Sequence, residues 1–157
     1  MLLSRLATIQ TRFPDLRLLL PGRWAVKANR SEAESIVGRK LPDIAAQLAA
    51  ADEIRADHSV EWVILSDGAA GALLVGEDGA FHASLELPAE LVIETDQGCG
   101  DSMNAGFLAA VRKGLAPAEI AKMMLLAASA NLSTPRPGEL SPASISNLAS
   151  AVKVVRV

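Results

Sequence analysis

The stretch Gln97-Gly98-Cys99-Gly100-Asp101-Ser102-Met103-Asn104-Ala105-Gly106-Phe107 gathers residue types that together can hold an anion. Glycines at 98 and 100 open backbone conformations closed to other residues, so that several N–H groups can converge on one point where a helix begins. Negative charge is favoured at such a point. Asp101 stands at its mouth, and its carboxylate has two readings. It can cap the helix, or it can accept the proton of a hydroxyl lined up against a bound phosphate. The thiol of Cys99 in the same turn opens a further chemistry, because glycines and a helix terminus can lower a thiol pKa.

Other spacings bear on the same question. Asn29-Arg30-Ser31-Glu32 has the Asn-x-x-Glu pattern of a helix capping box, and also that of a pair able to organise a ligand. Ser66-Asp67-Gly68-Ala69-Ala70-Gly71 is a small-residue turn where backbone can approach a ligand closely. Ala128-Ser129-Ala130-Asn131 precedes Pro137-Gly138. Several alternatives fail on spacing. The G-x-x-x-x-G-K-[ST] phosphate loop is absent, and Met103 stands where a third glycine would complete G-x-G-x-x-G. His58 and His82 have no partner at a telling distance in sequence, and no Cys and His cluster has metal-ligand spacing.

Gly98-Cys99-Gly100-Asp101-Ser102-Met103, followed by Ala105-Gly106-Phe107, resembles the Gly-Ala-Gly-Asp signature of the PfkB/ribokinase family of carbohydrate kinases, with Cys99 replacing alanine. Asn29 and Glu32 fit that family's Lys-Pro-Asn-x-x-Glu segment, with Ala28 replacing proline. Ser66 to Gly71 is similar to its Ser-Leu-Gly-x-x-Gly turn, with Asp67 in a usually apolar place. Ser102-Met103, Asn29-Arg30 and Ser129-Ala130-Asn131 look most like the 1-phosphofructokinase and tagatose-6-phosphate kinase branch.

The resemblance covers residues 24–157 and implies transfer of the ATP γ-phosphoryl group to a hydroxyl of a sugar or sugar phosphate, fructose 1-phosphate or similar. It makes Asp101 the base and has Gly98, Cys99 and Gly100 stabilise the transferring group. Asn29, Ser66, Gly68, Gly71, Gly100 and Asn131 would then contact the nucleotide, with Mg2+ organised partly through Glu32. The fold it implies is α/β: the C-terminal part of a ribokinase-like, Rossmann-like three-layer sandwich, its sheet mostly parallel with a β-hairpin edge.

The elements that must position these residues can be read from hydrophobic periodicity. Leu2, Leu3, Leu6, Ile9 and Phe13 predict a short amphipathic helix ending at Pro14. Residues 16–20 and 24–27 look strand-like, but the intervening Pro21-Gly22-Arg23 is too short for a parallel crossover, so they read as a hairpin or one is not a strand. A helix should follow Lys27-Ala28-Asn29 and stop at Gly38, and another should run over 43–56 with Ile44, Leu48 and Ile54 as its apolar face. Strands are predicted at 60–66, 72–75, 80–85 and 91–94, the last feeding the glycine turn. Helices should cover 101–113 and 117–132, with a last one from Ser141-Pro142 before an edge strand at 152–157.

Composition sets outer limits. The 157 residues read as one domain by length, half of them hydrophobic and with mean hydropathy positive, and the resemblance makes it a partial kinase domain. A net charge of −3 and the lack of any lysine or arginine run remove the electrostatic case for nucleic acid or an anionic membrane. The single cysteine, with no leader-like or membrane-spanning opening, points to a reducing cytoplasm. In the family the sugar-recognition residues and lid lie mainly in an N-terminal half for which there is no room upstream of Trp24. The alternatives are therefore a split or truncated kinase, or a non-catalytic nucleotide-binding remnant. Sheet edges left open would invite a homo-oligomer or a complementing N-terminal half.

Overall fold

Short connections decide how this sheet is wound. The computed structural model describes residues 25–157; the helix expected over 2–13 and the strand-like run 16–20 lie outside them. β1 (Ala25–Asn29) passes directly into α1 (Arg30–Val37), which ends at Gly38 in the left-handed region. α2 (Ile44–Asp57) is started by Asp43, whose carboxylate accepts from Ala46 N at 2.8 Å. It returns the chain to β2 (Trp62–Ser66), parallel to β1. A helical crossover is what a parallel pair requires.

After β2 no crossover is available. A single turn of 3-10 helix (Gly68–Ala70) reverses the chain into β3 (Ala72–Gly76), and Glu77-Asp78 reverses it again into β4 (Gly79–Leu85). The sheet has the order β1-β2-β3-β4-β5, and every pair except β1–β2 is antiparallel. The expectation of a mostly parallel sheet is corrected to a mixed one. The hairpin is also interior, since β5 (Val152–Arg156) pairs with β4 and forms the edge.

α3 (Cys99–Arg112) and α4 (Pro117–Asn131) cover one face of the sheet, meeting Trp62, Ile64, Ala72, Leu74 and Ala83. α1 and α2 cover the other, against Val26, Ala28, Val63, Leu65, Leu73 and Val75. The short α5 (Pro142–Leu148) leads into β5. The result is three layers with apolar residues on both sheet faces, which is why β2 and β3 read as continuous hydrophobic runs. No helix among the described residues is long and apolar enough to cross a membrane.

Two further expectations change. Residues 91–94 form no strand: Val92 and Ile93 are 67% and 57% exposed, and the segment is held instead by Glu94 N donating to Leu132 O at 2.8 Å. On α2 the buried face is Gln47, Ala50, Ala51 and Ile54, whereas Ile44 points outward. The i, i+3, i+4, i+7 spacing is intact, but small alanines fill it, so bulk misidentified the face.

α3 and α4 pack closely at Gly106. A Cβ there would lie 2.6 Å from Met123 O and 2.8 Å from Ala127 Cβ. Gly106→Val should therefore lower the unfolding free energy by about 1–3 kcal/mol in urea titrations, and an unchanged midpoint would show that the two helices do not touch as described.

Candidate functional site

The parallel β1–β2 pair brings Asn29 opposite Ser66, and β3 starts beside them as the chain turns back. The carboxyl ends of β1 and β2 thus open at one edge, the place where α/β sheets hold ligands. α3 begins at the same end, with Gly98 as its N-cap at φ +81° and no side chain capping it. Ser102 N is the first amide to find an intrahelical acceptor, Gly98 O at 2.8 Å. The amides of Gly100 and Asp101 have no partner among the described residues. Asp101 is exposed and its carboxylate makes no hydrogen bond among the described residues, so nothing there supports the capping reading of that residue.

A cation completes this end of α3. Lys27 Nζ sits against the glycine turn, 2.9 Å from where a Cβ on Gly100 would be. It pairs with no carboxylate among the described residues. Spacing in the sequence assigns Lys27 no role of its own. The signal was present nonetheless: in β1 a lysine alternates with buried Val26 and Ala28, which places it on the sheet face toward α3.

Asn131, the last residue of α4, is wholly buried and holds the turn in place. Its Nδ2 donates to Gln97 O at 2.7 Å and to Cys99 Sγ at 3.4 Å. Its Oδ1 accepts from Gly138 N at 2.6 Å and from Ser102 Oγ at 3.3 Å. Both donors and both lone pairs of the amide are therefore used. Gly98 lies so close to the 137–138 loop that a Cβ on it would be 2.9 Å from Gly138 N. Only a glycine meets both the positive φ and that approach.

A cleft of about 200 Å3 is lined by Gly68, Ala69, Gly71, Leu85, Leu87, Leu125, Ser129 and Leu132, the last two close in sequence to Asn131. The lining is apolar apart from backbone and the Ser129 hydroxyl. Ser129 is 6% exposed, and its side chain has no hydrogen-bond partner among the described residues. Gly68 and Gly71 line the cleft; Ser66, the last residue of β2, does not. Asn29 and Glu32 form a reciprocal capping box: Glu32 N donates to Asn29 Oδ1 at 2.9 Å, and Asn29 N to Glu32 Oε2 at 2.8 Å. No group of three or more His, Cys, Asp or Glu side chains converges among the described residues.

The surroundings of Cys99 work against the thiol alternative. Burial pushes its thiol above the ordinary thiol range, outweighing the hydrogen bond from Asn131, and Asp96 raises it further. Both effects disfavour the thiolate form in this turn.

These contacts predict two outcomes. Asn131→Ala leaves Gln97 O and Gly138 N without their partner and should cost at least about 2 kcal/mol in chemical denaturation; a loss near zero would mean that the 137–138 loop is held otherwise. Iodoacetamide should alkylate Cys99 more slowly than a free thiol at pH 7.5, the rate climbing only as pH rises past the ordinary thiol value. Faster reaction than free thiol would contradict the assigned environment.

Residues 3–144 match the pfkB family of carbohydrate kinases. The 1-phosphofructokinase of Haloferax volcanii is 40% identical over 106 residues, 68% of this chain and 33% of that protein. That of Haemophilus influenzae is 38% identical over 96 residues, 61% of this chain and 30% of that protein. This chain thus spans about a third of the length of the curated relatives it matches. Among solved structures, Escherichia coli phosphofructokinase-2 in complex with substrates and products superposes with a TM-score of 0.72 at 23% identity, over 84% of this chain and 42% of that one. Arabidopsis thaliana ribokinase complexed with ribose and ATP gives 0.66 at 22% identity, over 80% of this chain and 40% of that one. The structural likenesses establish the ribokinase-like fold, and the match over residues 3–144 shows that the chain belongs to the pfkB family of carbohydrate kinases.

Proposed function

We propose that residues 1–157 form one partial domain, the nucleotide-binding and catalytic part of a kinase that transfers the ATP γ-phosphoryl group to a hydroxyl of a sugar or sugar phosphate, fructose 1-phosphate or similar. The observation that carries this reading is the start of α3, where the amides of Gly100 and Asp101, the Lys27 ammonium and the Asp101 carboxylate lie together with no partner among the described residues. The similarity to 1-phosphofructokinases supports the choice of acceptor.

On this reading Gly98, Cys99, Gly100 and Lys27 stabilise negative charge on the transferring group. The acceptor oxygen bonds to the γ-phosphorus, the bond to the β–γ bridging oxygen breaks, and ADP departs. Asp101 takes the hydroxyl proton as that bond forms. The apolar cleft receives the base, with the Ser129 hydroxyl as its one polar side chain, and the Asn29 and Ser66 ends border the phosphates. A lone carboxylate, Glu32, with one oxygen already in the capping box, suits a magnesium ion that arrives on nucleotide phosphates and keeps most of its waters. There it would neutralise phosphate charge. A cytoplasmic setting belongs to the same reading.

Exposed Val92 and Ile93 favour a partner surface, a second copy of this chain or a complementing N-terminal half. The same observations favour a second reading, nucleotide binding without transfer by the chain alone.

The discriminating experiment couples ADP formation to fructose 1-phosphate, alongside calorimetric ATP titration. Asp101→Asn should lose at least about a hundredfold in turnover while ATP affinity stays within about twofold. Wild-type turnover in that variant removes Asp101 as the base. ATP binding with no ADP formed by the wild-type chain favours the second reading.

A further inference from the structure

Asp67 occupies the turn that lines the cleft, yet its side chain is committed elsewhere. Its Oδ2 accepts from Gln47 Nε2 at 2.8 Å and from Arg30 Nη1 at 3.3 Å. Gln47 is buried in α2, and Arg30 is the first residue of α1, directly after Asn29. Arg30 also lies 3.8 Å from Glu34, which in turn meets Lys40 at 2.6 Å. Within the turn, Asp67 N donates to Gly71 O at 2.9 Å and Asp67 O accepts from Ala70 N at 3.0 Å. On the opposite side His82 Nε2 lies 2.9 Å from Ala70 O.

The turn is therefore gripped from α1, α2 and β4 while Gly68, Ala69 and Ala70 remain exposed. Of these grips, only the Asp67 carboxylate joins the turn to the helix whose first residues are the Asn29–Glu32 box. An apolar side chain at 67 could not make that connection, since both donors it serves are polar and one is buried.

We propose that Asp67 is a positioning residue: its carboxylate fixes the separation between the part of the cleft that receives a nucleoside and the part that receives its phosphates. The inference rests on the nucleotide reading above. A rigid separation lets one ligand engage both parts at once without ordering the second after the first is bound. The brace therefore acts on the advantage of a triphosphate over a bare nucleoside, not on nucleoside binding itself.

The test is calorimetric titration of the full chain with ATP and, separately, adenosine. Asp67→Ala should reduce the ratio of ATP to adenosine affinity by about tenfold, with adenosine affinity within about twofold of wild type. Asp67→Asn, which still accepts from both donors, should restore most of the ratio. A simple loss of structure would weaken both ligands together and would not be repaired in this pattern. Should Asp67→Ala fail to fold, Arg30→Gln, altering only the exposed end of the bridge, should lower the same ratio. An unchanged ratio in a folded variant overturns the brace and leaves the nucleotide reading standing. Wild-type chain that binds neither ligand overturns both.

Discussion

The buried amide of Asn131 is the contact on which the rest of the site depends. A primary amide with all four hydrogen-bonding positions engaged is costly to disturb, because each freed partner would be left unpaired away from water. Through it the end of α4 fixes Gln97, Cys99 and Ser102 on one side and Gly138 on the other. The glycine turn consequently has little freedom to collapse onto its own amides. Local stability here maintains unsatisfied donors at the surface, which is the condition for a preorganised anion site.

That arrangement explains how a mixed sheet serves where a parallel one was expected. The β1–β2 pair supplies the open carboxyl ends, and the reversal after β2 lays a small-residue turn across the same edge. α3 then returns its amino end to Lys27 on β1, while α4 ends beside the turn. The apolar cleft is lined by the 68–71 turn, the end of β4 and α4, whereas the cationic start of α3 is formed with Lys27 of β1. On the proposed reading one nucleotide spans the two.

Much of this was legible in the sequence, for physical reasons that differ from residue to residue. Gly98 and Gly100 announced a turn because their conformational freedom has few other uses at a helix start, and Gly38 and Pro117 marked helix limits reliably. Residues 91–94 misled because apolar β-branched content was taken for pairing, and pairing needs a neighbouring strand that this loop lacks. Asn131 was picked out as a nucleotide contact; what spacing could not reveal was that its amide is engaged on every side by protein. Lys27 and Ser129 went unassigned because their importance lies in having no partner, a property that only three-dimensional placement exposes. Asp67 stood out as unusual in its turn, but its partners Arg30 and Gln47 are distant in sequence.

The most direct measurement of the central claim is an amide-resolved NMR titration of the chain with magnesium and a non-hydrolysable ATP analogue. The account predicts that Gly100, Asp101 and the 68–71 turn shift together along a single saturation curve, with residues at the far Gly76–Gly79 hairpin unmoved. Shifts confined to one of those segments, or spread over the opposite end of the sheet, would contradict a shared cleft.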